Sequence, residues 1–70
     1  MDRFEVTRAL RELEDEKGRT PSVQEVADHL KVSSATAWIY LKEAAYKGLI
    51  VQRDGKFMSL EIARAYKVKE

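Results

Sequence analysis

Seventy residues make one small domain, which must be sparing with loops and helped by good helix ends or by a partner. The absence of cysteine excludes a disulfide framework, a thiolate metal cage and a cysteine nucleophile. MDRFEVTRAL lacks the apolar core of a signal peptide and no apolar run is long enough to span a bilayer, so a soluble cytoplasmic protein is expected. The formal charge of +1 is unevenly spread: acids outnumber bases in residues 2–17, and bases outnumber acids in residues 48–70.

Residues 2–17 read as the first helix, with Val6, Ala9, Leu10 and Leu13 inward at helical spacing, Phe4 extending the stripe and Gly18 as the stop. Arg8 precedes Glu12 by four residues, which is ordinary patterning for a solvated face, and the carboxylates from Glu12 to Glu16 are expected to be solvated too. Pro21 keeps Thr20 out of a helix and frees Ser22 to cap the next one. Ser22-x-x-Glu25 is a capping box that opens a second helix over residues 23–30, whose inward stripe is Val23, Val26, Ala27 and Leu30.

Lys31-Val32-Ser33 breaks the phase, and Ser33 caps a third helix over residues 34–47 carrying Ala37, Leu41 and Ala44 on one side. Gly48 ends it, with Leu49 making the apolar contact of the stop. Residues 49–53 and 56–60 then flank Asp54-Gly55, a pair suited to a two-residue hairpin turn. In that register Val51 faces Met58 and Leu49 faces Leu60, and these four side chains are expected to close the core while Arg53 and Lys56 flank the tip. Residues 61–70 form a tail or short helix, in which Ile62, Ala65 and Tyr66 fit a helix and Ile62, Tyr66 and Val68 an extended segment. Tyr66 and Val68, if uncovered, are available for a homodimer.

This order predicts a mainly α fold with a small β-hairpin: a winged helix-turn-helix over residues 1–60, three helices plus a two-stranded wing. In such a motif the second helix of the pair enters the major groove, so its outward residues carry the function. At 100° per residue Ala35, Ile39, Lys42 and Tyr46 fall opposite the buried stripe, with Ser34, Thr36 and Trp38 on the flanks. The candidate DNA-contacting residues are therefore Ser34, Ala35, Thr36, Trp38, Ile39, Lys42 and Tyr46 on the third helix, with Arg53 and Lys56 at the wing tip. Hydroxyls at the helix start can bond phosphate or base edges, with Ser33 reserved for the cap. Lys31 and Lys47 are further cations within reach of phosphate.

No Arg, Asn or Gln lies on the third helix to make a bidentate base contact. Trp38 and Ile39 stand where polar readers are usual, which leaves three accounts of Trp38 open. It can meet thymine methyls or sugars, anchor a protein partner, or fold back against the wing or the first helix as extra core.

PSVQEVADHL, then VSSAT, then YLKEAAYKGLI resembles the winged helix-turn-helix DNA-binding domains of bacterial, archaeal and phage transcription regulators. The PSV-x-E-V-A opening looks most like that of the LexA repressor family. The resemblance spans residues 6–60 and implies specific double-stranded DNA binding by a regulator, such as a repressor, often as a dimer on a two-fold site. Three features depart from it: the segment from Leu30 to Leu41 is one residue shorter than in LexA-like domains, Trp38-Ile39 replaces polar readers, and the chain ends at Glu70 without a protease, sensor or ligand domain, as in an excised fragment or a very small regulator. ALRELEDEKGRTPSVQEVADHL also looks like a helical region of sigma factors, against which the hairpin at residues 48–60 argues.

The alternative function is a protein-interaction module that presents Trp38 and Ile39 on the same scaffold. An enzyme is not expected. His29 beside Asp28 reads as a solvated pair, and there is no phosphate-cradling glycine loop, nucleophile elbow, metal-ligand cluster or calcium loop. No cofactor, metal or small-molecule ligand is expected.

Overall fold

The computed structural model describes residues 3–65, in the order α1 (Arg3–Lys17), α2 (Val23–Leu30), α3 (Ser34–Tyr46), β1 (Ile50–Arg53), β2 (Lys56–Ser59) and α4 (Leu60–Ala65). It is a mainly helical, winged-helix-like fold. Asp2, Tyr66 and Val68, which entered the expectations for the first helix and for a homodimer, lie outside the described residues.

Each helix end has a local cause. Ser22 accepts the Glu25 N–H at 3.1 Å while the Glu25 carboxylate accepts the Ser22 N–H at 2.9 Å, so the predicted capping box is complete. At the other end of α2 the chain reverses through Lys31, a non-glycine residue in the left-handed region (φ 60°, ψ 45°). The Lys31 and Val32 N–H groups bond back to Asp28 and Ala27 carbonyls at 3.3 and 3.0 Å, which repays part of that strain. Helix α3 starts at Ser33, whose Oγ accepts the Thr36 N–H at 3.1 Å, and stops one residue earlier than expected, with Lys47 as its cap. Gly48 (φ 80°) and Leu49 send their N–H groups to the carbonyls of Ala45 and Ala44, the two-bond stop that a left-handed glycine permits.

The core gathers Val6, Leu10 and Leu13 of α1, Val26 of α2, Leu41 and Ala44 of α3, and Ile50 and Phe57 of the hairpin. The predicted stripes of the three helices are thus inside, except that Val23 and Leu30 are only partly covered and Phe4 is exposed. The hairpin turn has Asp54 at φ 51° and Gly55 at φ 76°, the two positive values that match strand twist.

Register follows expectation at Val51↔Met58, but the face does not. Ile50 and Phe57 point into the helical core, and Leu49 and Leu60 do not pair at all. Leu49 is still engaged in the helix stop, and Leu60, an exposed residue, begins α4. The strands are therefore one residue shorter at that end. Because side chains alternate along a strand, the Ile50, Gln52, Phe57 and Ser59 face looks towards the helices and the Val51 and Met58 face looks away. Met58 is nonetheless fully buried, since α4 folds back against both strands. An alternating pattern with apolar residues on both faces does not reveal which face has the larger neighbour.

Glu14 is a further correction: it is buried, not solvated, and its Oε2 accepts the Ser59 N–H at 2.8 Å. It stands one turn beyond Leu10, at the edge of the buried stripe. Ser59 Oγ in turn accepts the Ile62 N–H at 3.4 Å, and Arg11 pairs with Glu61 at 3.2 Å, so α1 holds the junction of β2 and α4 by a buried bond and a solvated one. At the α1–α2 turn the Glu25 carboxylate meets both Arg19 nitrogens, at 2.9 and 3.0 Å, and Lys17 at 3.1 Å. The Arg19 guanidinium, the Ser22 N–H and Lys17 together hold the Glu25 carboxyl far below the ordinary carboxylate range.

Replacing Glu14 by Ala leaves the Ser59 N–H buried without an acceptor. Thermal unfolding should show a loss of about 2 kcal/mol, roughly 10 °C in Tm, whereas Glu14→Gln, which keeps an acceptor oxygen, should stay much closer to the parent. Because the Glu25 carboxyl is depressed in the folded state, its contribution is complete above the ordinary carboxylate pKa of about 4.3 and disappears as pH falls towards its folded value. Glu25→Gln should therefore be less stable than the parent at neutral pH, and the gap should close below about pH 4. A gap that persists unchanged at low pH would contradict this assignment.

Candidate nucleic-acid interface

Helix α3 is buried on one side and exposed on the other. Ala37, Leu41 and Ala44 are completely buried, while Ala35, Ile39, Lys42 and Tyr46 are all exposed, Ile39 at 61% and Tyr46 at 87% of their surface. Helix α1 packs against α3. The opposite stripe predicted from the helical wheel is thus a continuous outer surface.

Trp38 sits at the boundary. Its ring meets Phe57 of β2 edge to face, centroids 5.2 Å apart and planes at 77°, yet 41% of its surface remains open. Of the three accounts of Trp38, folding back against the wing therefore describes one side of the ring and exposure the other. Lys42, one helical turn on, sets its Nζ 5.6 Å from the Trp38 ring centre and donates to Gln52 Oε1 of β1 at 3.0 Å. This chain of contacts couples α3 to the hairpin.

The helix start is already occupied by internal bonds. Ser33 caps as predicted and its hydroxyl also reaches Thr36 Oγ1 at 2.9 Å; Thr36 is half-buried. Ser34 bonds to Gln24 of α2, whose amide also donates to Asp28 at 2.8 Å. Ser34 therefore links the two helices of the motif, while Thr36 bonds within the start of α3. At the wing tip, Arg53 and Lys56 face each other across the ladder and both are exposed. Like charges directly opposite weaken a strand pair, so the fold gains nothing from this arrangement. Lys31 and Lys47 are also exposed, at the two ends flanking α3. His29 was expected to form a solvated pair with Asp28, but its partner is Glu12 of α1 at 3.5 Å, so it bridges α1 and α2.

Gln52 was not among the sequence candidates. Its signal is its register: it pairs with Phe57 and so shares the face that looks towards α3. Reading that signal requires knowing which face of the hairpin is inward.

Residues 3–36, just under half of the chain, are similar to sigma-70 region 3. That region is a helix-turn-helix one that binds DNA, so the similarity connects this domain with DNA binding and with transcription. No curated protein and no solved structure matches the chain. The similar segment takes in α1, α2, the turn and the first three residues of α3, and leaves out Trp38, Lys42 and the hairpin. The hairpin, expected to argue against a relation to sigma factors, lies outside the matched residues and carries no weight against it. PSVQEVA lies within the matched residues, and the match is to sigma-70 region 3 and not to LexA.

Trp38→Ala, which removes the edge-to-face contact, should cost about 1–2 kcal/mol in denaturant unfolding. Ile39→Ser, on the open stripe, should change stability by less than about 0.5 kcal/mol. Equal losses at both positions would mean that Ile39 is covered.

Proposed function

We propose that the domain is a sequence-specific regulator of transcription that binds double-stranded DNA, with α3 in the major groove and the β1–β2 hairpin as a wing on the adjoining backbone. The observation that carries this reading is the outer face of α3. Among the described residues it is exposed, it meets the hairpin through Trp38 and Lys42, and the tip of that hairpin sets two exposed cations opposite each other. A B-form major groove is wide enough for a helix, and a polyanion needs only the docking face to be basic. In this assignment Lys42, Ser34 and Thr36 approach base edges or phosphates, Trp38, Ile39, Ala35 and Tyr46 make apolar contacts with thymine methyls and sugars, and Arg53 and Lys56 meet phosphates. The role is one of binding, with no reaction assigned.

The exposure of Trp38, Ile39 and Tyr46 along one helix also favours a second reading, a protein-binding face on the same scaffold. Salt separates the two. Neutralising roughly five phosphates gives a log-log slope of affinity against salt near −4 to −5, whereas an apolar protein interface is almost indifferent.

Duplex DNA titrated at low salt should shift the amide resonances of α3 and the wing and change the emission of the one tryptophan, Trp38. Replacing Arg53 and Lys56 together by Ala should reduce the salt slope by about two, and Lys42→Ala should weaken binding. If no α3 or wing resonance moves with any duplex, the DNA reading is wrong.

A further inference from the structure

We propose that Gln52 of the wing strand is a positioning residue which, by holding the Lys42 ammonium, makes that lysine a reader of a guanine edge in the major groove. The inference rests on the DNA-binding reading above and adds which base the shared site takes.

The argument begins with the donor and acceptor inventory. A lysine ammonium has three donors and no acceptor, so the atom that Gln52 turns towards Lys42 Nζ must be its amide oxygen, as it is at 3.0 Å. That bond restrains the ammonium from the hairpin side. Trp38, whose ring lies 5.6 Å from the same Nζ, limits the ammonium from a second side. Lys42 retains two N–H donors and has no acceptor to offer.

A free glutamine reads adenine by donating to N7 and accepting from N6. A lysine ammonium can only donate, so the exocyclic amine of adenine or cytosine finds no acceptor on it. Thymine offers one acceptor beside its methyl group. Guanine alone presents two adjacent acceptors, N7 and O6, to an all-donor group held in place. The wing strand thereby steadies the group with which the helix reads, although the wing itself is placed against the DNA backbone.

Selection of bound duplexes from a random pool tests this, run in parallel on the parent, Gln52→Ala and Lys42→Met. The parent should select guanine at one position by about tenfold or more. Gln52→Ala, which frees the ammonium to wander, should flatten that position while leaving the others and the melting temperature nearly unchanged. Lys42→Met, which removes the donors themselves, should abolish the guanine preference at that same position. If the parent binds duplexes and all three proteins return the same base profile, the Gln52 assignment is overturned and DNA binding stands. If the parent binds no duplex at low salt, both are overturned.

Discussion

Helix α3 has only a narrow strip, Ala37, Leu41 and Ala44, by which to attach itself, and every other arrangement in the domain depends on that attachment. Two of the three residues are alanines, so the supporting helices come close and a single large side chain, Leu41, fills the gap in the core. With the strip buried, the direction of the opposite stripe is settled: Ala35, Ile39, Lys42 and Tyr46 have nowhere to go but outward. The lysine turn at residues 31–33 sets the angle between α2 and α3, and the glycine stop at residue 48 turns the chain into the hairpin.

The hairpin is held differently. One strand face inserts Ile50 and Phe57 beneath the helices, and the other is covered by α4, so two short strands that would be marginal alone are enclosed on both sides. Glu14 anchors the last residue of β2 from α1, an unusual use of a carboxylate in so small a core. It is tolerable because the carboxylate accepts a backbone N–H that would otherwise be orphaned there. On the exposed side, the contacts of Trp38 with Phe57 and of Lys42 with Gln52 tie the helix to the wing. Motion of one relative to the other would have to break an aromatic contact and a charge-assisted hydrogen bond.

Charge completes the division of the molecule. The net value is close to zero: acids outnumber bases by two in residues 2–17, and bases outnumber acids by two in residues 48–70. The similarity to sigma-70 region 3 covers α1 and the start of the motif, and of the surface to which binding is attributed only Ser34, Ala35 and Thr36 lie within it. What this chain reads is therefore a matter for its own residues.

The helices were legible from the sequence because their causes are local. The Ser22–Glu25 box, Ser33, Gly18 and Gly48 act within one turn, and the spacing of Val6, Leu10, Leu13, Ala37, Leu41 and Ala44 follows directly from helical geometry. Asp54-Gly55 likewise determined the turn and the strand register. Three matters needed the folded chain: which face of the hairpin is inward, the burial of Glu14, and the joining of Lys42 to Gln52. Each depends on a partner distant in sequence, and apolar residues on both strand faces, a carboxylate among other carboxylates and a glutamine on a strand are each compatible with more than one neighbour. Only the packing of α4 and α1 around the strands chose between them, because burial is a property of what surrounds a side chain and not of the side chain itself.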